Sequence, residues 1–471
     1  MDVLTRLRAG HVLVTGAGVS GVGVSRLLVD LGCSVVLVDD DVHARITACE
    51  ATGARPASTD DARIFIDSEV VSAVVTSPGW RPDTPLLTYA QQVGLDILGD
   101  VELAYRLDRA GAFGAPRTWL VVTGTNGKTT TTAMLADIMA AHSATTGLRA
   151  QAVGNIGLAV ADALTAVPRV DVLAAELSSF QLHWSSELTP GAGVLLNLAE
   201  DHIDWHGSFA DYAAAKAKVL RGKHAVIGAD DAEVRRLADA TGRDDVVGFT
   251  LGAPAAGQLG IVDGRLVDRT GDDDVDLGPA EGLEPAGPAG QLDALAAAAI
   301  ARTQGVGGDT IARALAEFTV DGHRGAVVHR GVGQWVDNSK ATNPHAAAAA
   351  LAGRDNVLWI AGGQLKGADV ENLIREHAHR LSGAALLGVD RQILADALTA
   401  HAPDVEVFIS DATDPEQAMN EAVGWAAGRV TDEQTVLLAP AAASLDMFTG
   451  MGHRGDVFAA AARRHDQPQR K

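Results

Sequence analysis

Short β-branched runs, each followed by a glycine-containing turn and an Ala/Leu-rich stretch of helical spacing, recur along the whole of this sequence. Runs such as HVLVT and SVVLV carry no polar face, so both of their faces must be covered. Parallel strands sandwiched between helices meet that demand, and the alternation predicts an α/β fold. The pattern places strands at 11–15, 34–39 and 70–76, at 119–122, 172–175 and 194–198, and at 334–336, 357–361, 384–389, 405–409 and 435–438. A Gly/Ala/Pro stretch at 111–116 reads as a linker, and a looser Gly/Pro/Asp-rich stretch at 252–290 reads as an insertion holding short strands,. With 471 residues the chain exceeds one ordinary core,. Three domains are expected: Rossmann-like 1–113, a P-loop ATPase-like domain with a parallel sheet at 114–320, and a second Rossmann-like domain at 321–471.

Composition removes several classes of function. A formal charge of −22 argues against a surface that coats nucleic acid, and any phosphate site must then be built locally from backbone N–H groups, a few lysines and a divalent metal,. No apolar span reaches the roughly 18 residues of a membrane helix. The start MDVLTRLRAGHVLVTG runs straight into a strand without a secretory signal, so a cytoplasmic protein with no membrane partner is expected,. Cys33 and Cys49 lack metal spacing and read as ordinary thiols,.

The strongest local signal is VVTGTNGKTTTT at 121–132, where an apolar strand meets a glycine turn and then a helix. Gly124 and Gly127 let the backbone of Thr125 and Asn126 wrap a phosphate. Lys128 supplies a point charge, and the Thr129 hydroxyl, followed by Thr130, can ligate Mg²⁺. A second glycine turn, TGAGVSGVG, precedes Asp39 at the end of the next strand. Taken alone it resembles a dinucleotide fingerprint, which leaves an NAD(P)-dependent dehydrogenase open; a tight turn that serves helix packing only is the lesser alternative. Glu176 and Lys216, by residue type, are more often an exposed strand-end acid and a surface lysine than ligands. His202, in DHIDWHG, is as often part of a solvated loop as a metal ligand,.

TGTNGKTT is similar to the shortened phosphate loop of the muramyl ligases and their folylpolyglutamate synthase relatives. GNIG at 154–157, ELSSFQL at 176–182, DHIDWHG at 201–207, YAAAK at 212–216, NSKATNPHA at 338–346, GGQLKGAD at 362–369 and APAAASLDMFTGMGHRGDVF at 439–458 extend the resemblance over nearly the whole chain. NSKATN and ASLDMF are most similar to the branch that adds D-glutamate.

The resemblance implies ATP and two Mg²⁺ ions as cofactors, with UDP-N-acetylmuramoyl-L-alanine and D-glutamate as partners, no nucleic acid, and a monomer. It implies that Thr129 and Glu176 hold one ion and that His202 and a carbamylated Lys216 hold the other. Arg324 and Asp293 reach the nucleotide, and Lys340 meets the reacting phosphate and carboxylate. Val19, Ser20, Asp39, Ser77, Gly79, Asn155 and Ser178 face the uridine substrate, while Thr342, Lys366 and Ser444 receive D-glutamate. A hinge at 321–325 is expected to move the third domain. The chain also departs from the family's pattern. Gly290 and Asp293 stand where an adenine-binding asparagine pair is usual, Asn338 replaces an aspartate, and Met451 replaces an aromatic residue. A sister muramyl ligase, a folylpolyglutamate synthase and a non-catalytic nucleotide switch remain open at this point.

Overall fold

The structure, a computed structural model, describes residues 2–320 and 322–465. Asp321, where the third domain and the candidate hinge were expected to begin, lies outside the described residues.

Three sheets organise the described residues. The first contains β1 (His11–Thr15), β2 (Ser34–Val38), β3 (Arg55–Ala57), β4 (Val71–Thr76) and β5 (Ile97–Gly99), in the order β3-β2-β1-β4-β5 and all parallel. Strands β1 and β2, apolar apart from His11, Thr15 and Ser34 at their ends, have buried centres, as a sheet covered on both faces requires,. Strand order reverses at β1, so a crevice opens beyond the carboxyl ends of β1 and β4.

The second sheet contains β6 (Thr118–Thr123), β7 (Ala150–Gly154), β8 (Val172–Glu176), β9 (Ala192–Leu195), β10 (His224–Gly228), β11 (Val247–Phe249), β12 (Gln258–Val262), β13 (Arg265–Asp268) and β14 (Val275–Pro279). Its order is β14-β13-β12-β11-β10-β9-β6-β8-β7. Strands β6 to β12 are parallel, whereas the expected insertion supplies an antiparallel meander, β12 to β14, at one edge.

The third sheet contains β15 (Ala326–Gly331), β16 (Gly333–Asp337), β17 (Val357–Gly362), β18 (Leu381–Leu387), β19 (Glu406–Ile409) and β20 (Thr435–Leu438), in the order β15-β16-β20-β17-β18-β19. The β15–β16 hairpin is antiparallel and the remaining pairs are parallel.

The chain forms two compact units, Met1–Pro279 with Leu292–Ala316, and Ala280–Gln291 with Glu317–Lys471. The first unit holds the first two sheets, and the stretch expected as a linker lies inside it. There Asp108, at the end of the helix Asp100–Arg109, pairs with Arg117 at 2.8 Å just before β6, with both side chains buried. Among the described residues no helix is long and apolar enough to cross a membrane.

Candidate active site

In the first unit the loop between β6 and the helix Lys128–Thr146 is clamped from several sides. Gly127 adopts φ +81°, and a Cβ on it would fall 2.3 Å from the Asp293 Oδ1, so glycine is required there twice over,. Asn197 accepts from the backbone N–H of Asn126 through its side chain and from that of Thr125 through its carbonyl, each at 2.9 Å. The Tyr212 hydroxyl meets Thr125 Oγ1 at 2.8 Å. Thr131 Oγ1 donates to Asp293 Oδ1 at 3.1 Å, which ties the first turn of the helix to Asp293. Lys128 Nζ donates to the Thr125 carbonyl at 2.7 Å, and Thr129 and Thr130 are buried.

Glu176 ends β8 and pairs in register with Val122 of β6, which brings it alongside this loop. It is 1% exposed. Its Oε1 accepts from Asn155 Nδ2 at 2.8 Å, whereas Oε2 is buried with no hydrogen-bond partner. Lys216 is also buried, and its Nζ donates to the Gly124 carbonyl at 2.7 Å and lies 4.9 Å over the Tyr212 ring. Burial, followed by the neighbouring Lys128 charge, pushes its pKa well below the ordinary lysine value. His202 adopts φ +53° and lies 3.6 Å from Asp201; burial lowers its pKa, partly opposed by that carboxylate.

No group of three or more His, Cys, Asp or Glu side chains able to hold a metal occurs among the described residues. The donor set nevertheless fits a hard cation. A carboxylate with one unsatisfied, desolvated oxygen beside a threonine-bearing phosphate loop is suited to Mg²⁺, which commonly takes one or two protein carboxylates and fills its remaining positions with water and phosphate oxygens. Glu176, Lys128, Thr129, Lys216 and Asn155 are thus brought to one end of the second sheet.

Of the residues expected at the uridine site, Val19, Ser20, Asp39, Ser77 and Gly79 follow strands of the first sheet, whereas Asn155 and Ser178 follow β7 and β8 of the second. Asp39 accepts from the Ala17 N–H at 2.7 Å and from the Asp41 N–H at 2.9 Å, so it also braces the glycine turn. Val19, which opens the helix Val19–Asp30, is 81% exposed, an unusual position for valine. Ser77 follows β4 with a buried Oγ that has no partner, and Gly79 faces open space. Ser178 caps the helix Ser179–His183 in a reciprocal box with Gln181. Asp100, unremarked in the sequence, opens the helix Asp100–Arg109 with its Oδ1 buried and without a hydrogen-bond partner, and burial raises its carboxyl pKa.

A Mur ligase middle-domain model matches residues 122–264, the stretch that contains this phosphate loop. The UDP-N-acetylmuramoylalanine--D-glutamate ligase of Corynebacterium diphtheriae is 55% identical over 99% of this chain and 98% of its own length. That of Corynebacterium efficiens is 56% identical over 96% and 94% respectively. The chain belongs to the UDP-N-acetylmuramoylalanine--D-glutamate ligase family. The wider Mur ligase fold is evident in the solved structure of MurF from Acinetobacter baumannii, with a TM-score of 0.60 at 15% identity and 98% of each chain covered. The family's chemistry is ATP-dependent ligation in peptidoglycan precursor synthesis.

In the second unit the remaining Mur ligase candidates sit at carboxyl ends of the third sheet. Lys340 and Thr342 follow β16, with the Lys340 N–H donating to the His323 carbonyl at 3.2 Å; Arg324 is the next residue after His323. Lys366 follows β17, exposed and at φ +54°, and Ser444 follows β20, buried. One residue the sequence reading overlooked ties these loops together. Arg454, 1% exposed on the helix Met451–His465, donates to Ser339 Oγ at 3.0 Å, Ser339 O at 2.7 Å, Ala442 O at 3.1 Å and Gly362 O at 3.3 Å. Spacing offered a signal, because Arg454 shares a helical stripe with the buried Val457, Phe458 and Ala461,. Asn197 and Tyr212 were overlooked for a different reason: their partners are 71 and 87 residues away. Gly290, a departure from the Mur ligase pattern, has a steric cause. A Cβ at that position would lie 1.7 Å from the Pro285 carbonyl oxygen, so asparagine does not fit.

Proposed function

We propose that this chain couples ATP cleavage to amide formation, adding D-glutamate to UDP-N-acetylmuramoyl-L-alanine. The γ-phosphoryl group passes to the alanyl carboxylate and ADP leaves. The D-glutamate amine then attacks the acyl phosphate, loses a proton, and the tetrahedral adduct expels phosphate. The observation that carries this reading is the clamped loop Gly124–Thr130 beside the unsatisfied Glu176 Oε2.

In this reading residues 1–113 bind the uridine substrate through Val19, Ser20, Asp39, Ser77 and Gly79, with Asn155 and Ser178 contributing from 114–320. Residues 114–320 bind ATP through the loop, with Lys128 holding the outer phosphates and Asp293 bracing the backbone that cradles them. Residues 321–471 bind the amino acid through Thr342, Lys366 and Ser444, with Lys340 at the reacting groups and Arg324 toward the nucleotide. Glu176 and Thr129 would hold one Mg²⁺, and His202 with a carbamylated Lys216 a second; when bound, the ions offset the charge crowded around the phosphates. Carbamylation joins the Lys216 amine to CO₂ with release of a proton and turns a cation into an anionic ligand. The chain acts as a cytoplasmic monomer without nucleic-acid or membrane partners.

Phosphate release assayed with ATP, Mg²⁺ and UDP-N-acetylmuramoyl-L-alanine, while the amino acid is varied, tests the reading. Turnover with D-glutamate but not with L-glutamate or diaminopimelate is expected. An enzyme that consumes no ATP with D-glutamate, or that prefers another acceptor, overturns it.

A further inference from the structure

Beyond β4 the chain turns through Ser77, Pro78, Gly79 and Trp80, and the Trp80 backbone N–H donates to the Ser77 carbonyl at 3.1 Å. This turn faces the glycine loop that follows β1. A Cβ placed on Gly16 would lie 2.7 Å from Ser77 Oγ and 3.1 Å from Trp80 Nε1, so a hydroxyl and an indole N–H converge on an α-carbon that bears no side chain. Ser77 Oγ is buried without a partner, and the Trp80 indole N–H makes no hydrogen bond among the described residues. The ring itself is anchored, because it packs against the apolar cluster of Leu86, Leu87 and Val74 on one face of the first sheet.

Packing holds the Trp80 ring while its N–H has no protein acceptor among the described residues, so the donor is available to a ligand,. The space around it is open. An added Cβ at Gly18 or Gly79 would meet nothing within 4 Å, and Val19 projects into solvent at the start of the helix Val19–Asp30. Two side-chain donors and the free N–H groups of a helix start point to a ligand group rich in acceptors and negative charge, such as a phosphate. A nucleobase, with donors of its own, matches them less well.

We propose that Trp80 is a further binding residue for the substrate's diphosphate, its indole N–H donating to a phosphate oxygen alongside the Ser77 hydroxyl. The inference rests on the reading above that the ligand of this crevice is a uridine diphosphate ester. It goes beyond that reading in assigning a specific donor that none of the sequence motifs contained.

Trp80→Phe keeps an aromatic ring in the cluster and removes the N–H. Binding of UDP and of uridine to the full chain, measured by calorimetry and by ligand-observed NMR, separates the two contributions. The expected result is an approximately tenfold weaker UDP Kd in Trp80→Phe with the uridine Kd little changed. In turnover the loss appears in KM for the uridine substrate rather than in kcat. An unchanged UDP Kd, or an equal loss for uridine, overturns the proposal and assigns Trp80 to packing alone. A second measurement does not require the variant to fold. In wild-type protein one of the seven tryptophan indole N–H resonances should move downfield with UDP and not with uridine; no such shift also overturns it. Wild-type protein that binds no UDP would sink the underlying reading, whereas UDP binding indifferent to Trp80 sinks only this one.

Discussion

In the proposed reaction Glu176 holds Mg²⁺, and at that residue stability and function oppose each other. Its Oε2 is desolvated and unpaired, an arrangement that costs about 1–3 kcal/mol in the ligand-free chain,. Glu176→Gln keeps the acceptor for Asn155 and replaces the bare anionic oxygen with a neutral amide. Thermal denaturation of the ligand-free variant should show stability equal to or above wild type, while the Mg²⁺ concentration for half-maximal activity rises tenfold or more. A variant that melts well below wild type would show that the carboxylate serves the fold. Gly127 predicts the reverse balance. Gly127→Ala places a methyl group against Asp293 at a positive φ, so a loss of activity of about 10² or more is expected, together with weaker ATP binding, because the cradle must shift,. The glycine was legible from its motif. The burial of Glu176 was not, because its partner Asn155 lies 21 residues away and meets it only when β7 and β8 pair.

The helix Met451–His465 shows how one element organises a site it does not line. From its buried face Arg454 spreads four hydrogen bonds over the segments that carry Lys340, Lys366 and Ser444. Burial pulls its pKa down to about 10, so the guanidinium remains charged at neutral pH and the surrounding carbonyl oxygens compensate for the lost water,. Arg454→Lys preserves the charge but lacks the planar fork needed to reach all three segments. A loss of about 2–4 kcal/mol in denaturant unfolding is expected, with KM for D-glutamate raised more than KM for ATP. Equal effects on both KM values would mean general loosening instead. At this scale the long apolar strands were readable, since β1, β2, β6, β8 and β17 need cover on both faces. Three-residue strands such as β3 and β5, and the hairpin partner β15, exist through pairing with neighbours, and their own residues carry little periodic signal,.

Across the first unit, the Asp108 cluster joins the helix that closes the first sheet to the strand that opens the second. Asp108 accepts from Arg117 Nη1 at 2.8 Å, the Arg117 backbone N–H at 2.9 Å, Trp119 Nε1 at 3.0 Å and Arg109 Nη2 at 3.0 Å. Burial pushes its carboxyl pKa up, but these hydrogen bonds outweigh it and hold the group below its ordinary 3.8. A folded-state pKa below the unfolded value means the stabilisation is fully present above about pH 4 and is lost as pH falls through the folded value. Asp108→Asn should therefore cost about 3 kcal/mol or more at pH 7, and the gap to wild type should narrow below pH 4. Urea midpoints at both pH values check this, and a gap independent of pH would refute it. Without that cluster in view, the Gly/Ala/Pro stretch beside it reads as a loose linker. The sequence by itself determined the α/β class, the phosphate loop and the family, because hydrophobic period, glycine placement and ordered motifs are local properties. Only the tertiary structure decided which polar atoms are left without partners, which arginine ties the third sheet's loops together, and that Trp80 faces Gly16. Those facts depend on pairings between residues distant along the chain, and burial and hydrogen bonding at such sites are set only when the strands meet.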